Sequence, residues 1–265
     1  HIEAERPADK KSLGASLIGQ LLEWFEWSSY AVFAPFIAAA FFDKSDPTSA
    51  LLATFGVFAV GFLVRPLGGI IFGRIADRVG RKNVLMMTII IMALSAVIIG
   101  VMPTYDQIGI WASVILLLVR VIQGFAHGGE SATANSYIPE IAPRDRRGKW
   151  GSMVYMSIFG GSVIAYTLGG IISLVLSDGQ IGAWGWRIPF WLGAAAAFVA
   201  LYLRRHMQES DHFNEIQEGG AESYDALSAN RPQTPVRSNW MNILLVIGMV
   251  SGLSLIHISD GAREA

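Results

Sequence analysis

Seven polar side chains fall inside stretches that are otherwise apolar: Glu23, Glu26, Arg65, Arg120, Gln123, His127 and Glu130. A charge at the centre of an apolar membrane helix costs at least about 2.5–3.5 kcal/mol, so each needs a partner or a purpose. Glu23 and Glu26 are three residues apart and share one face of a helix. Withdrawing a carboxyl from water penalises its charged form, which is the property a proton carrier needs. The plainer role for either acid is to neutralise Arg65 or Arg120. Arg120, Gln123, His127 and Glu130 follow at i, i+3, i+7 and i+10, which confines them to a stripe of roughly 80° at about 100° per residue. Such a stripe must face a bundle interior or a watery cavity. An arginine there suits a carboxylate ligand through forked, two-bond pairing, or else an internal ion pair. His127 can also be a hydrogen-bonded packing residue. His127 and Glu130 lack an evident third ligand for a metal.

A second constellation is compact. Gly73-Arg74-Ile75-Ala76-Asp77-Arg78-Val79-Gly80-Arg81-Lys82 lies between two apolar stretches. Gly73 is expected to admit a neighbouring helix, and Gly80 to make a turn that side chains disfavour. Asp77 can offer its carboxylate to a helix N-terminus, where the dipole favours negative charge, and Arg81 can hold Asp77 in place. Arg65 precedes Gly73 by eight residues, which buries it about 12 Å deep at 1.5 Å per residue.

The elements that must carry these groups are membrane helices. Of 265 residues 52% are hydrophobic and only 15% charged, against roughly 25% charged in soluble domains. The net charge of −1 points to neither nucleic acid nor disorder. With no cysteine, disulfide scaffolds, Cys-based zinc sites and thiol nucleophiles are excluded. The 28 glycines suit closely packed membrane helices. A bilayer core of about 30 Å needs about 20 apolar residues. Six stretches qualify, at about Leu13–Phe42, Leu51–Phe72, Val84–Met102, Ile110–Ile138, Gly148–Leu176 and Ile188–Leu203. A seventh begins near Trp240. The expected organisation is a six-span bundle over 1–203, a polar cytoplasmic linker over 204–239 and the start of span seven over 240–252. From Leu253 the run Leu-Ser-Leu-Ile-His-Ile-Ser-Asp-Gly-Ala-Arg-Glu-Ala equals a translation of library-adapter DNA, so 253–265 is expected to be a non-native tail. His1 is not an initiator, so the start is expected to be incomplete.

The basic residues orient the spans. The N-terminal arm, the turns after spans two and four and the segment after span six hold fifteen Lys and Arg; the alternate loops hold Lys44 and Arg187. The positive-inside rule places the N-terminus and the linker in the cytoplasm. Six spans, a linker and a new span imply half of a two-bundle transporter whose halves are related about an axis along the membrane normal.

The Gly73–Lys82 string resembles the signature loop of the major facilitator superfamily. With Leu22-Glu23-Trp24-Phe25-Glu26-Trp27, Gly61-Phe62-Leu63-Val64-Arg65-Pro66-Leu67-Gly68-Gly69, Arg120-Val121-Ile122-Gln123-Gly124-Phe125-Ala126-His127-Gly128-Gly129-Glu130 and Trp184-Gly185-Trp186-Arg187-Ile188-Pro189-Phe190, the chain resembles the metabolite:proton symporter family within it. The resemblance covers about residues 13 to 210 and implies the N-terminal six helices of a twelve-helix, all-α membrane protein. It implies alternating access with uptake of protons and a small carboxylated metabolite, an organic acid such as alpha-ketoglutarate or another dicarboxylate. It also implies a gating role for Gly73, Asp77, Arg78, Gly80 and Arg81. Compatible solutes (proline, betaine) and shikimate or aromatic acids are the alternatives within the family. The sequence departs from the family at Glu26, usually Asp, at Ser131, often Tyr, and at Glu209-Ser210-Asp211-His212-Phe213, which lacks a proline; these departures bear on the substrate.

Gly-x-x-x-x-Gly-Lys-Ser/Thr and Gly-x-Ser-x-Gly are both missing, so neither ATP hydrolysis nor a serine elbow is expected. No cofactor or metal is expected, and the expected partners are the bilayer, the substrate, protons and a C-terminal six-helix half. Span five lacks the Gly-Pro string of drug:proton antiporters. A non-transporting receptor or scaffold is a rival of another class, against which the intramembrane acids and arginines argue. The expected location is the cell membrane.

Overall fold

The computed structural model describes residues 10–205, and all regular structure there is helical. In chain order the helices are α1 Lys10–Val32, α2 Ala34–Phe41, α3 Pro47–Leu63, α4 Arg65–Val79, α5 Arg81–Val101, α6 Tyr105–Ile108, α7 Ile110–Ile141, α8 Arg147–Val175, α9 Asp178–Ala183 and α10 Ile188–Arg205. Spans one to six correspond to α1 with α2, α3 with α4, α5, α7, α8 and α10. The linker beyond Arg205, span seven, the tail and the first nine residues lie outside the described residues.

Spans one and two are each broken once. Pro35 lies two residues after Phe33, and Pro66 two after Val64, so the ladder loses a donor and the preceding turn is crowded. Elsewhere the boundaries follow local chemistry. Asp46 caps α3, accepting from the amides of Thr48 and Ser49 at 3.1 Å each, and Thr104/Gln107 and Ser177/Gln180 form capping boxes on α6 and α9. The joint between α4 and α5 is Gly80 alone, with φ +96°, which glycine adopts without strain. Span six runs past its expected end, because Arg204 turns back into the bundle rather than entering a linker.

Among the described residues, Pro47–Val79, Arg81–Val101, Ile110–Ile141, Arg147–Val175 and Gly185–Arg205 are long and apolar enough to cross a membrane. Residues 10–41 are less apolar, since α1 places Ser12, Ser16, Gln20, Glu23, Glu26, Ser28 and Ser29 in the interior. The outer surface is the reverse of a water-soluble one: Leu52, Leu63, Met156, Phe159 and Leu174 are among many large apolar side chains left exposed.

Helix α7 is the hub, packed on α3, α4 and α5. The seam with span two is set by glycines. A Cβ on Gly124 would strike the backbone of Gly61, and one on Gly128 the backbone of Arg65, so the helices touch main chain to main chain as small residues permit. Gly161 gives α8 the same closeness to α1, against the Leu21 carbonyl. Gly73, expected to admit a helix, has open space beside it among the described residues; the approach is made at Gly61 and Gly68 instead. Aromatic residues fill one end of the bundle, where Tyr30, Phe33, Phe41, Trp186 and Phe190 form one cluster. Leu22, Ile89, Met92, Ala126 and Ala197 fill the middle.

Candidate functional site

The site lies where α1, α4 and α7 meet. Glu23 and Glu26 project from the same face of α1 and are fully buried. Arg65 enters from the first turn of α4, immediately after the break at Val64, and its Nη2 donates to Glu23 Oε1 and, at 3.0 Å, to Ser131 Oγ. Ser131 also donates to the Glu23 carboxylate. The Arg65 guanidinium stands 5.0 Å from the Phe62 ring centroid and within 6.0 Å of Trp24 and Trp27, a range in which an aromatic face attracts a cation.

The second acid is joined to the second arginine indirectly. Arg120 Nη1 donates to Gln123 Oε1 at 2.5 Å, and Gln123 Nε2 donates to Glu26 Oε2. Arg120 is wholly buried, lies 3.7 Å from the Tyr30 centroid and 5.1 Å from Trp27, and keeps Nε and Nη2 without a hydrogen-bond partner. Glu26 Oε1 is likewise unpartnered. Trp27 Nε1 donates to His127 Nδ1 at 2.6 Å, and His127 Nε2 faces Glu26 Oε2 at 3.5 Å. Two carboxylates and two guanidiniums thus balance in charge, but the second pair is left with spare donors and a spare acceptor. Buried groups of this kind are nearly always satisfied, so the arrangement keeps unused hydrogen-bonding capacity for one further polar group.

Glu130 belongs elsewhere. It lies on the expected stripe, yet its carboxylate takes Arg204 Nη1 at 2.8 Å, a second bond from Arg204 Nη2, and Thr88 Oγ1 at 2.6 Å. Arg204 also donates to the carbonyls of Ala15 and Leu85, which ties α1, α5, α7 and α10 together. Gly19 makes the room, since a Cβ there would run into this pair. The structure therefore unites Glu23, Glu26, Arg65, Arg120, Gln123 and His127 and sets Glu130 in a separate, fully paired cluster.

At the α4–α5 turn Asp77 Oδ1 accepts from Arg81 Nη1 at 2.7 Å, and Arg81 Nη2 reaches Glu140 Oε1 at 3.5 Å. Asp77 does not cap the N-terminus of α5, which has no side-chain cap. Arg78 is exposed on the last turn of α4. The sequence reading missed Ser131, Trp27, Glu140 and Arg204. Ser131 was visible only as a departure from the family pattern. Trp27 was read only as part of the span-one string, and Arg204 as one of the basic residues after span six. A 330 Å³ hollow lined by Pro35, Ala38, Lys44, Pro47 and Leu51 contains none of these groups, and its apolar walls carry no comparable chemistry.

Comparison with known proteins follows the same lines. Residues 11–249 match the family Sugar (and other) transporter. The chain is 47% identical over 210 residues to a putative proline/betaine transporter of Staphylococcus haemolyticus, covering 78% of this chain and 45% of the relative. It is 42% identical over 198 residues to the alpha-ketoglutarate permease of Escherichia coli, covering 75% and 46%. It is 35% identical over 253 residues to the glycine betaine/proline/ectoine/pipecolic acid transporter OusA of Dickeya dadantii, covering 94% and 50%. The chain spans about half the length of the curated relatives it matches. In fold it is similar to the xylose transporter XylE of Escherichia coli in a partially occluded inward-open conformation, with a TM-score of 0.71 at 20% identity over 79% of this chain and 50% of that one. A D-xylose-proton symporter gives 0.68 at 19% identity over 85% and 54%. The helical spans, the Gly80 turn and these likenesses agree: the chain is a multi-pass membrane protein that belongs to the sugar (and other) transporter family of the major facilitator superfamily.

Proposed function

We propose that this bundle is the N-terminal half of a proton-coupled symporter for a small carboxylate, with the N-terminus and the Asp77 turn in the cytoplasm of a cell-membrane protein. One observation supports this above others: Arg120 is buried and joined to Glu26 through Gln123, and Arg120 Nε and Nη2 and Glu26 Oε1 all lack a hydrogen-bond partner. A substrate carboxylate can take the guanidinium through two bonds, while Glu26 exchanges a proton. Proline, betaine, ectoine and alpha-ketoglutarate, named for the relatives, all carry a carboxylate. A zwitterion is one reading, supported by the proline/betaine and glycine betaine/proline/ectoine/pipecolic acid transporters among the relatives. A dicarboxylate is the second reading, favoured by the free Nη1 of Arg65. The Asp77–Arg81–Glu140 chain links the ends of α4 and α7 to the start of α5 and serves as a gate whose state biases alternating access.

The test is uptake of labelled glycine betaine, proline and alpha-ketoglutarate by the full-length protein in proteoliposomes under an inward proton gradient. At least one is expected to accumulate and to be lost with a protonophore. Glu26→Gln should keep solute exchange but lose gradient-driven accumulation, and Asp77→Asn should slow initial rates at normal expression. Uptake of none of the three, or accumulation unchanged in Glu26→Gln, overturns the proposal.

A further inference from the structure

We infer that Trp27 is a positioning residue for the proton site: it locks His127 into the tautomer that presents Nε2–H to Glu26, and this donor sets the pH at which Glu26 exchanges its proton. The inference rests on the proton-coupling reading of Glu26. An indole N–H can only donate. Its 2.6 Å approach to His127 Nδ1 therefore requires a lone pair on that nitrogen, and the single hydrogen of a neutral imidazole must sit on Nε2. An imidazolium would set two N–H groups against each other, beside the guanidiniums of Arg65 and Arg120 that already act on this ring. Nε2 is buried, has no hydrogen-bond partner, and faces Glu26 Oε2 at 3.5 Å, close enough for a small approach to complete the bond.

The indole itself cannot turn away. It is 3% exposed and wedged edge-on between Phe58 at 4.7 Å and Phe62 at 5.5 Å. Gly61 leaves room for its far edge, since a Cβ there would lie 3.3 Å from Trp27 Cη2. The charged groups around the pair are Glu23 and Glu26 of α1, Arg65 of α4 and Arg120 of α7. Glu23 is held by Arg65, and Glu130, one turn further along α7, is held by Arg204. The α3 side brings the aromatic rings Phe58 and Phe62, α5 brings Thr88 to Glu130, and α10 brings Gly193 beside Glu26. His127 is thus the adjustable donor to Glu26, distinct from the amide of Gln123 that relays to Arg120. A donor to a carboxylate favours its charged form, and freeing Nδ1 lets the ring present a lone pair instead, which favours the protonated form.

The experiment uses the full-length protein in lipid nanodiscs. With ¹⁵N-labelled histidine, and His127 assigned by its loss in His127→Gln, Nδ1 should be bare and Nε2 protonated, whereas Trp27→Phe should give a mixture. The protonated carboxyl band of Glu26, identified by its loss in Glu26→Gln, is then followed by infrared spectroscopy against pH. Its midpoint should rise by about one pH unit in Trp27→Phe and in His127→Leu, and the double variant should match His127→Leu, because Trp27 acts only through His127. A bare Nε2, an unmoved midpoint in Trp27→Phe, or additive shifts would each overturn the inference. These readouts need no substrate, so they fail separately from the uptake result for Glu26→Gln that judges the proton-coupling reading.

Discussion

Arg65 and Arg120 have the same chemistry and different commitments. Arg65 commits Nη2 to Glu23 and Ser131 and leaves Nη1 open, whereas Arg120 holds one bond to Gln123 and leaves Nε and Nη2 open. Replacing a forked guanidinium by a point ammonium keeps charge and loses two-bond geometry. Arg120→Lys is therefore expected to raise the half-saturating concentration of the proposed carboxylate substrate by about tenfold, the worth of one charged hydrogen bond. Arg65→Lys should change it less and lower stability instead, since it weakens a buried ion pair. Uptake kinetics in both variants decide the matter; the opposite pattern would move the substrate arginine to α4. Glu23 and Arg65, 42 residues apart in the sequence, were legible as a plausible pair. The choice of Arg65 over Arg120 for Glu23 was not, because it depends on where the Val64 break aims the first turn of α4.

At the scale of elements, the contact between span two and α7 decides whether the site exists. Gly61 faces Gly124, and Gly128 lies on the Arg65 carbonyl. Gly128→Ala would place its methyl against backbone that has no rotamer to yield, so α4 must retreat and carry Arg65 from Glu23. Overpacking of this kind costs about 1–3 kcal/mol. Gly73→Ala meets open space among the described residues and should leave bundle stability unchanged. Thermal unfolding of both variants in detergent is the check, and equal midpoints would mean that the seam is softer than its geometry. The cap on α3 works differently. Bonds from the Ser49 hydroxyl and amide hold the exposed Asp46 carboxyl below its ordinary range, so the cap persists at neutral pH and is lost as pH falls through that lowered value.

For the molecule as a whole, topology is the measurable claim. The sequence contains no cysteine, so single-cysteine variants report without background. With the N-terminus inside, Lys44→Cys should react with an impermeant maleimide in intact cells, and Lys149→Cys only after permeabilisation. Lys44 sits in the exposed turn before α3 and is paired with Asp106, while Lys149 lies exposed in the first turn of α8. The reverse labelling would invert the bundle and place the Asp77 turn outside. Two apolar flanks of the bundle, on α3 with α4 and on α8, have large exposed side chains such as Leu63, Leu67, Phe159 and Val163, as expected where lipid or further helices cover them.

The sequence by itself determined the class and the spans, because burying a helix in hydrocarbon demands a long apolar run and because a turn like the one at Gly80 demands glycine. It also determined that Glu23 and Glu26 share a face and that Arg120, Gln123, His127 and Glu130 share an inward stripe, since 100° periodicity fixes which residues of one helix lie together, while Arg65 was placed only by its depth. Periodicity carries no information about which face of another helix lies opposite. That was decided by tertiary structure, through glycines that let main chains touch and prolines that bend spans one and two. Glu130 fell on the predicted stripe but was claimed by Arg204, a residue that reads as a loop cation until α10 is packed against α1 and α5. The Trp27–His127 bond likewise joins residues a hundred positions apart, and only the packing of α1 on α7 could bring an indole donor to one ring nitrogen and leave the other facing Glu26.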